Sequence, residues 1–598
     1  VEFEERYEKK KHYKTLIPTQ ELVDWIENTN EKLEVMQPFF LPMICPPKDW
    51  TNILEGGYIS PYLKKNKLVK NNNKDYLKKL STAKMPMVYE SINHIQSTAW
   101  QINSRVLKVV QDLWEIGSAV AELPDREDEA LIPYPYPEKD TKTDSYTEEE
   151  IGAIKKWKRE TYEIHKRNVQ KRSVRILVAQ VLRIAEQFKK YEKIYFPYQM
   201  DFRGRLYPIP VLLQPQGSDL AKGLLRFAEG KTVDENSIKW LQIHGANIFG
   251  YDKESYQKRI EWVLERHEIF KTYVDNPLEN RGWTEADKPF QFLAWCFEYV
   301  DYLNNPSEFR THIPIQLDGT CNGLQHYSAL LRDPVGGSAV NLVNTEKPSD
   351  IYAKVAERLE EKLKEIIKND KSNHSNSNDF NDINNDGSEH PNQNRDSSSN
   401  NSISSKILAS HWVNLGINRK LTKRPVMVLP YGGTLLSCRE YIGEYLTDNY
   451  SPNFIWEHFK IGDNPTDCVY KVSVWLAKYL WESIQETLQA ATIGMAYLRK
   501  LSRILTNKKL YLEWLTPAGL LIRQAYPARK QKEVKTELYG SIIKVRVNLD
   551  DESTLDSQRQ VNGVCPNFIH SLDAACLMLY LIKCKKAGIN SIMSVHDC

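Results

Sequence analysis

An α+β protein, mainly helical, is what the 598-residue sequence predicts. Three observations carry this expectation. Apolar residues recur at three- and four-residue spacing, as at Ile92, Ile95, Ala99 and Ile102, and again at Ile176, Val178, Val181, Leu182 and Ala185. Strand-like runs are short and end at polar residues, as at 311–317 and 590–596. The length corresponds to about four domains at roughly 150 residues each, or to one large multi-lobed enzyme.

Composition excludes several classes. At 41% apolar and 27% charged the chain is ordinary globular material, not wholesale disorder. No run approaches the roughly 18 uninterrupted apolar residues of a membrane helix, so no span is expected. Net charge is only +3, so nucleic-acid binding must come from local patches. Nine dispersed Cys, none in a C-x-x-C pair, fit a reducing compartment better than a disulfide framework. The charged start, Val1 to Lys14, resembles neither a signal nor a transit peptide. Both ends read as cut, since the chain starts at Val1 and stops at Cys598 directly after an apolar run.

Along the chain, Pro46-Pro47-Lys48-Asp49-Trp50 and Glu55-Gly56-Gly57-Tyr58 are loop signals. The spacing predicts one helix from about Met87 to Trp114. Residues 122–150 are acidic and Pro-containing and read as an exposed loop or linker. Residues 151–193 reverse the sign, with thirteen Lys/Arg against four Asp/Glu on a long helical pattern. That stretch is either a solvated charged helix or a basic arm along a phosphate backbone. A helix is expected over Ile351 to Lys368. In residues 369–405, Asn and Ser supply 21 of 37 positions, which predicts a disordered insertion within a domain.

Three constellations could carry chemistry. Thr311 to His326 reads as a short strand running into Asp318, a glycine-containing turn and a helix start; a carboxylate so placed either holds a cation or caps a turn. Arg419, Lys423, Met427 and Tyr431 follow at i+4 steps, so on a helix they share one face, suited to a triphosphate below a base and sugar or to plain solvent. The run 590–597 reads as a strand ending in His596-Asp597. Two carboxylates at strand ends are what a two-metal phosphoryl-transfer site requires, though spacing does not show that Asp318 and Asp597 meet.

Taken together, these segments resemble the bacteriophage-type single-subunit DNA-dependent RNA polymerases, including mitochondrial and linear-plasmid members. Phe196-Pro197-Tyr198-Gln199-Met200-Asp201-Phe202-Arg203-Gly204-Arg205 is similar to the D-x-x-G-R motif, the Asp318 segment to motif A, the Lys423 segment to motif B, and His596-Asp597 to motif C. Trp514-Leu515-Thr516-Pro517 and Pro566-Asn567-Phe568-Ile569-His570-Ser571-Leu572-Asp573 also match, in family order.

The resemblance implies a right-hand polymerase fold with a small antiparallel palm sheet. Its parts would be the end of an N-terminal domain over 1–105, a thumb over 106–191, palm over 192–334, fingers over 335–570, and the start of a C-terminal palm segment over 571–598. It implies DNA-templated RNA synthesis with two Mg²⁺ ions held by Asp318 and Asp597. Lys423 would bind the triphosphate with Arg419, and Arg424 is a further candidate. Met427 lies on the same face. Tyr431 would sit under the sugar, His570 near the same nucleotide, and Arg203 and Arg205 on nucleic acid. Gly323 stands where related DNA polymerases carry a Glu that blocks a 2′-hydroxyl, so ribonucleotides are favoured. The basic segment Arg529 to Val547, six Lys/Arg against two Asp/Glu, falls where the family has its promoter-reading hairpin.

Expected partners are double-stranded DNA, nascent RNA, ribonucleoside triphosphates and possible transcription factors, for a monomer in mitochondria. Pro425 and Pro430 depart from a straight motif B helix, and Pro430 should end or kink it just before Tyr431. The rival expectations are a related DNA polymerase, or an impaired fragment that only binds nucleic acid.

Overall fold

The computed structural model describes residues 2–8, 11–17, 19–27, 38–60, 62–63, 66–136, 147–317, 319–344, 349–368, 405–538 and 541–596. Asp318, Asp597 and nearly all of the Asn/Ser insertion lie outside these residues. The described chain is mainly helical, with five small sheets of two to four strands.

Two hydrophobic cores organise it. The first collects Trp50, Trp100, Phe196, Tyr198, Trp283, Phe290 and Trp295 with Ala575, Met578 and Leu581. The second collects Leu324, Tyr327, Trp412, Leu421, Val426 and Leu480 with Val564, Cys565 and Ile569. Along the chain the first change from one core to the other falls between Ile313 and Cys321, and the chain returns to the first core at Ala518, Leu520 and Ile522 and again from Ala575. One helix, Ser557–Lys586, serves both, its first half in the second core and its second half in the first. His570, Ser571 and Asp573 therefore sit at the junction. This helix is long and apolar enough to cross a membrane by length and composition, but its apolar side chains fill the two cores.

The long basic pattern forms a single helix, Glu148–Phe188, started by a capping box between Thr147 and Glu150. The helix Ile351–Lys368 forms as expected. The basic segment forms an antiparallel hairpin, Pro527–Leu538 with Ser541–Leu555. Its first strand also pairs in parallel with Lys11–Ile17, so hairpins from both ends of the chain share a four-stranded sheet.

Three expectations are corrected. The helix over Met87 to Trp114 is two, Pro86–Gln96 and Ser104–Glu115, separated by the strand Trp100–Ile102. Asn103 restarts the helix by accepting from the Val106 N–H at 3.3 Å, and Trp100–Ile102 pairs with Leu225–Phe227. The approach to Asp318 is a strand only at Arg310–Thr311. Beyond it Pro314 lacks a donor, and Gln316 gives its backbone N–H to His244 Nδ1 at 3.3 Å instead of a ladder. The run before Asp597 is not a ladder strand among its described residues either. Side chains hold it: Thr98 Oγ1 receives the Ile592 N–H at 3.3 Å, and Gln216 Nε2 donates to the Ser594 carbonyl at 3.0 Å.

Candidate functional site

The D-x-x-G-R turn is built by its own aspartate. Asp201 Oδ1 accepts the backbone N–H of Arg203 at 2.9 Å and of Arg205 at 3.1 Å, an Asx-type closure. Asp201 Oδ2 holds the Arg203 guanidinium at 2.8 and 2.6 Å. Gly204 has φ +92°, and a Cβ there would come within 2.8 Å of Leu520, so glycine answers both conformation and space. The turn sends Arg203 toward His570, whose Nδ1 faces a guanidinium N–H at 2.5 Å. It sends Arg205 into the protein, to Asp573 Oδ2 at 2.9 Å.

Asp573 is the meeting point. Its Oδ1 accepts from Asn322 Nδ2 at 3.0 Å. Its Oδ2 takes Arg205 and also faces His596 Nδ1 at 3.1 Å. His596 is fixed at its other ring nitrogen by the Leu206 carbonyl, 3.1 Å away. Burial pushes the Asp573 carboxyl up, but the His596 hydrogen bond and the charges around it outweigh this and hold it at about 2. One carboxylate thus joins the D-x-x-G-R turn, the helix start four residues after Asp318 and the residue before Asp597.

The motif B face follows the sequence closely. Arg419–Val428 is helical, capped by Asn418, whose side chain accepts from the Lys420 and Leu421 N–H groups. Pro425 lies inside it, and the helix still begins at Arg419. As Pro430 predicts, the helix stops at Val428 and a 3₁₀ turn, Leu429–Tyr431, follows. Gly432 closes it at φ +93°, where a Cβ would come within 3.3 Å of the Asn562 carbonyl, one turn before Pro566. Tyr431 is thereby laid beside His570, ring centroids 4.8 Å apart. Gly323 faces the same turn, and a Cβ there would reach Pro430 at 2.7 Å and Tyr431 at 3.4 Å.

The other candidates divide. Lys423 and Met427 are exposed on one face of the helix, and Lys423 pairs with no described residue. Arg419 is held by Asp350 and lies over the Tyr352 ring at 5.1 Å. Arg424 turns away, pairing with Glu444 and stacking over Tyr441 at 4.5 Å. Arg205 is buried against Asp573 and does not present its guanidinium to solvent. His570 is kept neutral: burial lowers its pKa to about 3, reinforced by the Arg205 and Arg203 charges. Among the described residues no group of three or more His, Cys, Asp or Glu could hold a metal.

Sequence reasoning assigned no role to Asp573 or Asn322. A signal was present: Asp573 interrupts the apolar run Leu572, Ala574, Ala575 on a helix, and a buried carboxylate there demands partners.

The described residues form a helical body with two cores, a polar knot where they meet, and a Tyr431–His570 ring pair. Comparison with known sequences places it further. A model of the DNA-dependent RNA polymerase family matches residues 231–598, and one of the DNA-directed RNA polymerase N-terminal domain matches residues 3–97. The chain is 33% identical over 578 residues to T7 RNA polymerase of Escherichia phage T7, covering 94% of this chain and 62% of that protein. It is 34% identical over 567 residues to the chloroplastic/mitochondrial DNA-directed RNA polymerase 2 of Arabidopsis thaliana, covering 93% and 50%. The chain belongs to the DNA-dependent RNA polymerase family. It spans between half and two thirds of the length of these relatives.

Proposed function

We propose that the protein synthesises RNA on a DNA template from ribonucleoside triphosphates. The observation that carries this is the Asp573 knot, which ties Arg205, Asn322 and His596 into one unit beside Tyr431 and His570. Asn322 and His596 flank the two aspartates that would hold metal, and their shared partner supports Asp318 and Asp597 acting together. The donor set, two carboxylates and substrate phosphate, suits Mg²⁺. When bound, two such ions would supply charge neutralisation of the triphosphate and activation of the RNA 3′-hydroxyl.

The chain's own residues do the rest. Lys423, on the exposed helix face, holds the triphosphate and stabilises the departing pyrophosphate. Tyr431 lies under the sugar, its ring steadied by His570, and Gly323 leaves the space a 2′-hydroxyl needs. Arg419, steered by Asp350, adds phosphate contact. Arg203, aimed by Asp201 at His570, lines the same pocket. Arg205 acts through Asp573, not by gripping nucleic acid directly.

In this reading residues 106–191 are a thumb, 192–334 palm and 335–570 fingers, with motif C opening the C-terminal palm. The hairpin Pro527–Leu538/Ser541–Leu555 presents exposed Lys544 and Arg546 for duplex DNA. A monomer acting with promoter DNA, nascent RNA and possible transcription factors fits the family. A mitochondrial setting rests on the plant relatives whose names place them in organelles.

The test is extension of an RNA primer on a DNA template with Mg²⁺. Ribonucleotide addition that Asp318→Asn and Asp597→Asn abolish supports the proposal. Preference for deoxynucleotides would make the protein a DNA polymerase, and binding without extension would leave it a nucleic-acid-binding remnant.

A further inference from the structure

The acidic segment 122–150 and the basic helix Glu148–Phe188 have opposite charge in sequence, and in the structure they meet. Residues 125–136 run as a strap along the helix. Glu129 pairs with Arg167 at 2.8 Å and Lys171 at 3.1 Å. Asp128 pairs with Arg172 and Arg175. Arg175 also donates to the carbonyls of Asp125 and Arg126. Two carboxylates thus occupy four cations.

The strap is anchored by contacts that involve no charge pair. Asn168 and the Glu129 backbone exchange hydrogen bonds, Oδ1 from the Glu129 N–H at 2.8 Å and Nδ2 to its carbonyl at 3.0 Å. Trp157 Nε1 donates to the Ile132 carbonyl at 2.8 Å, and its ring packs edge-on against Tyr134 at 4.9 Å. At the other end Arg126 lies over Trp114, 4.5 Å from the ring centroid. These contacts hold the acidic side chains at a fixed register on the helix.

The paired cations form one stripe. Arg167, Lys171, Arg172 and Arg175 lie within nine residues, eight steps or about 12 Å at 1.5 Å per residue. A nucleic-acid strand carries one phosphate per roughly 3.4 Å of axis, so about four phosphates match that length. By contrast, Lys155, Lys158, Arg159 and Lys166 are exposed and pair with no described residue. The helix therefore carries one set of cations paired with the strap and one set without such partners among the described residues.

We propose that the strap is a built-in competitor for the phosphodiester backbone of nucleic acid. It occupies the Arg167–Arg175 stripe in the free protein and yields it when a nucleic-acid strand lies along the helix. This rests on the reading of residues 106–191 as a thumb, but it concerns binding alone and needs no catalysis.

The test uses the full chain and a short fluorescent RNA–DNA hybrid, with affinity measured across a salt series. Asp128→Asn with Glu129→Gln removes the competitor and keeps the Asn168 and Trp157 anchors. Affinity should rise at least about tenfold at low salt, and the slope of log K against log salt should steepen by up to about 3.6, for four released cations at up to about 0.9 each. The charge-matched control, Glu148→Gln with Glu149→Gln in the first turn of the same helix, should change both much less. A second variant, Asn168→Ala, loosens the anchor without altering charge and should shift affinity in the same direction. Equal shifts in the acid-strap variant and its control would reduce the effect to a general field and overturn the proposal. So would an unchanged or weaker binder. Failure of primer extension with these binding results intact would sink the polymerase reading and leave the strap standing.

Discussion

Arg205 and Asp573 form a buried ion pair, Nη2 to Oδ2 2.9 Å apart, between side chains only 11% and 8% exposed. An isolated charge at such a site is costly, and the pair persists because Asn322 and His596 complete the coordination of the carboxylate. Asp573→Asn keeps the size and one acceptor but strands the Arg205 charge. It should cost about 3–5 kcal/mol, read from urea unfolding at neutral pH. A loss below about 1 kcal/mol would show that the pair is not desolvated as described. The pH sign follows from the depressed carboxyl: this stabilisation is present above the ordinary value of 3.8 and is lost as pH falls through about 2.

His570 works over a different pH range. Its folded pKa is lowered to about 3, so between 6.5 and 3 the unfolded chain binds a proton there that the folded chain does not. Stability must therefore fall as pH drops across that range. His570→Asn should flatten this part of the stability profile while leaving the Asp573 region below it. Parallel profiles for the two proteins would mean that His570 titrates freely.

Lys423 and Arg424 are neighbours in sequence with opposite expected roles. Lys423 is exposed on the face that Met427 shares, whereas Arg424 is spent on Glu444 and Tyr441. Lys423→Ala should lower kcat/KM for the incoming nucleotide by on the order of a hundredfold or more. Arg424→Ala removes an exposed pair worth little and should change it by about twofold at most. Steady-state extension kinetics with both variants decide the assignment, and equal losses would return Arg424 to the nucleotide site.

How far the sequence reaches is clearest at these residues. The Arg419, Lys423 and Met427 spacing gave the helix face correctly, because i+4 periodicity is local. Pro430 likewise announced the break before Tyr431, because a missing N–H acts within its own turn. What stayed hidden was non-local. Nothing in the apolar runs before Asp318 and Asp597 says that side chains from His244, Thr98 and Gln216 replace a strand ladder. The acidic stretch reads as an exposed loop or linker, and its described residues 122–136 are a largely exposed loop, but composition does not show the helix it folds against. The role of Asp573 is not legible in its motif, since its three partners come from three distant segments.

Gly323 offers the most direct test of how the proposed ribose site is built. The family resemblance makes this glycine a matter of empty space for a 2′-hydroxyl. The structure adds a second constraint, for a Cβ at 323 would press on the Pro430 ring at 2.7 Å and approach Tyr431 at 3.4 Å. Pro430 is ring-locked in the 3₁₀ turn and cannot yield by changing rotamer. Even a methyl must therefore displace the turn that lays Tyr431 against His570. Gly323→Ala should weaken discrimination between ribo- and deoxyribonucleotides by about tenfold, on the order of 1.4 kcal/mol. It should do so although alanine is too small to block a 2′-hydroxyl itself. The ratio of kcat/KM values for matched nucleotide pairs measures this. If the ratio is unchanged while overall activity is retained, Tyr431 has not moved, and the glycine serves clearance alone.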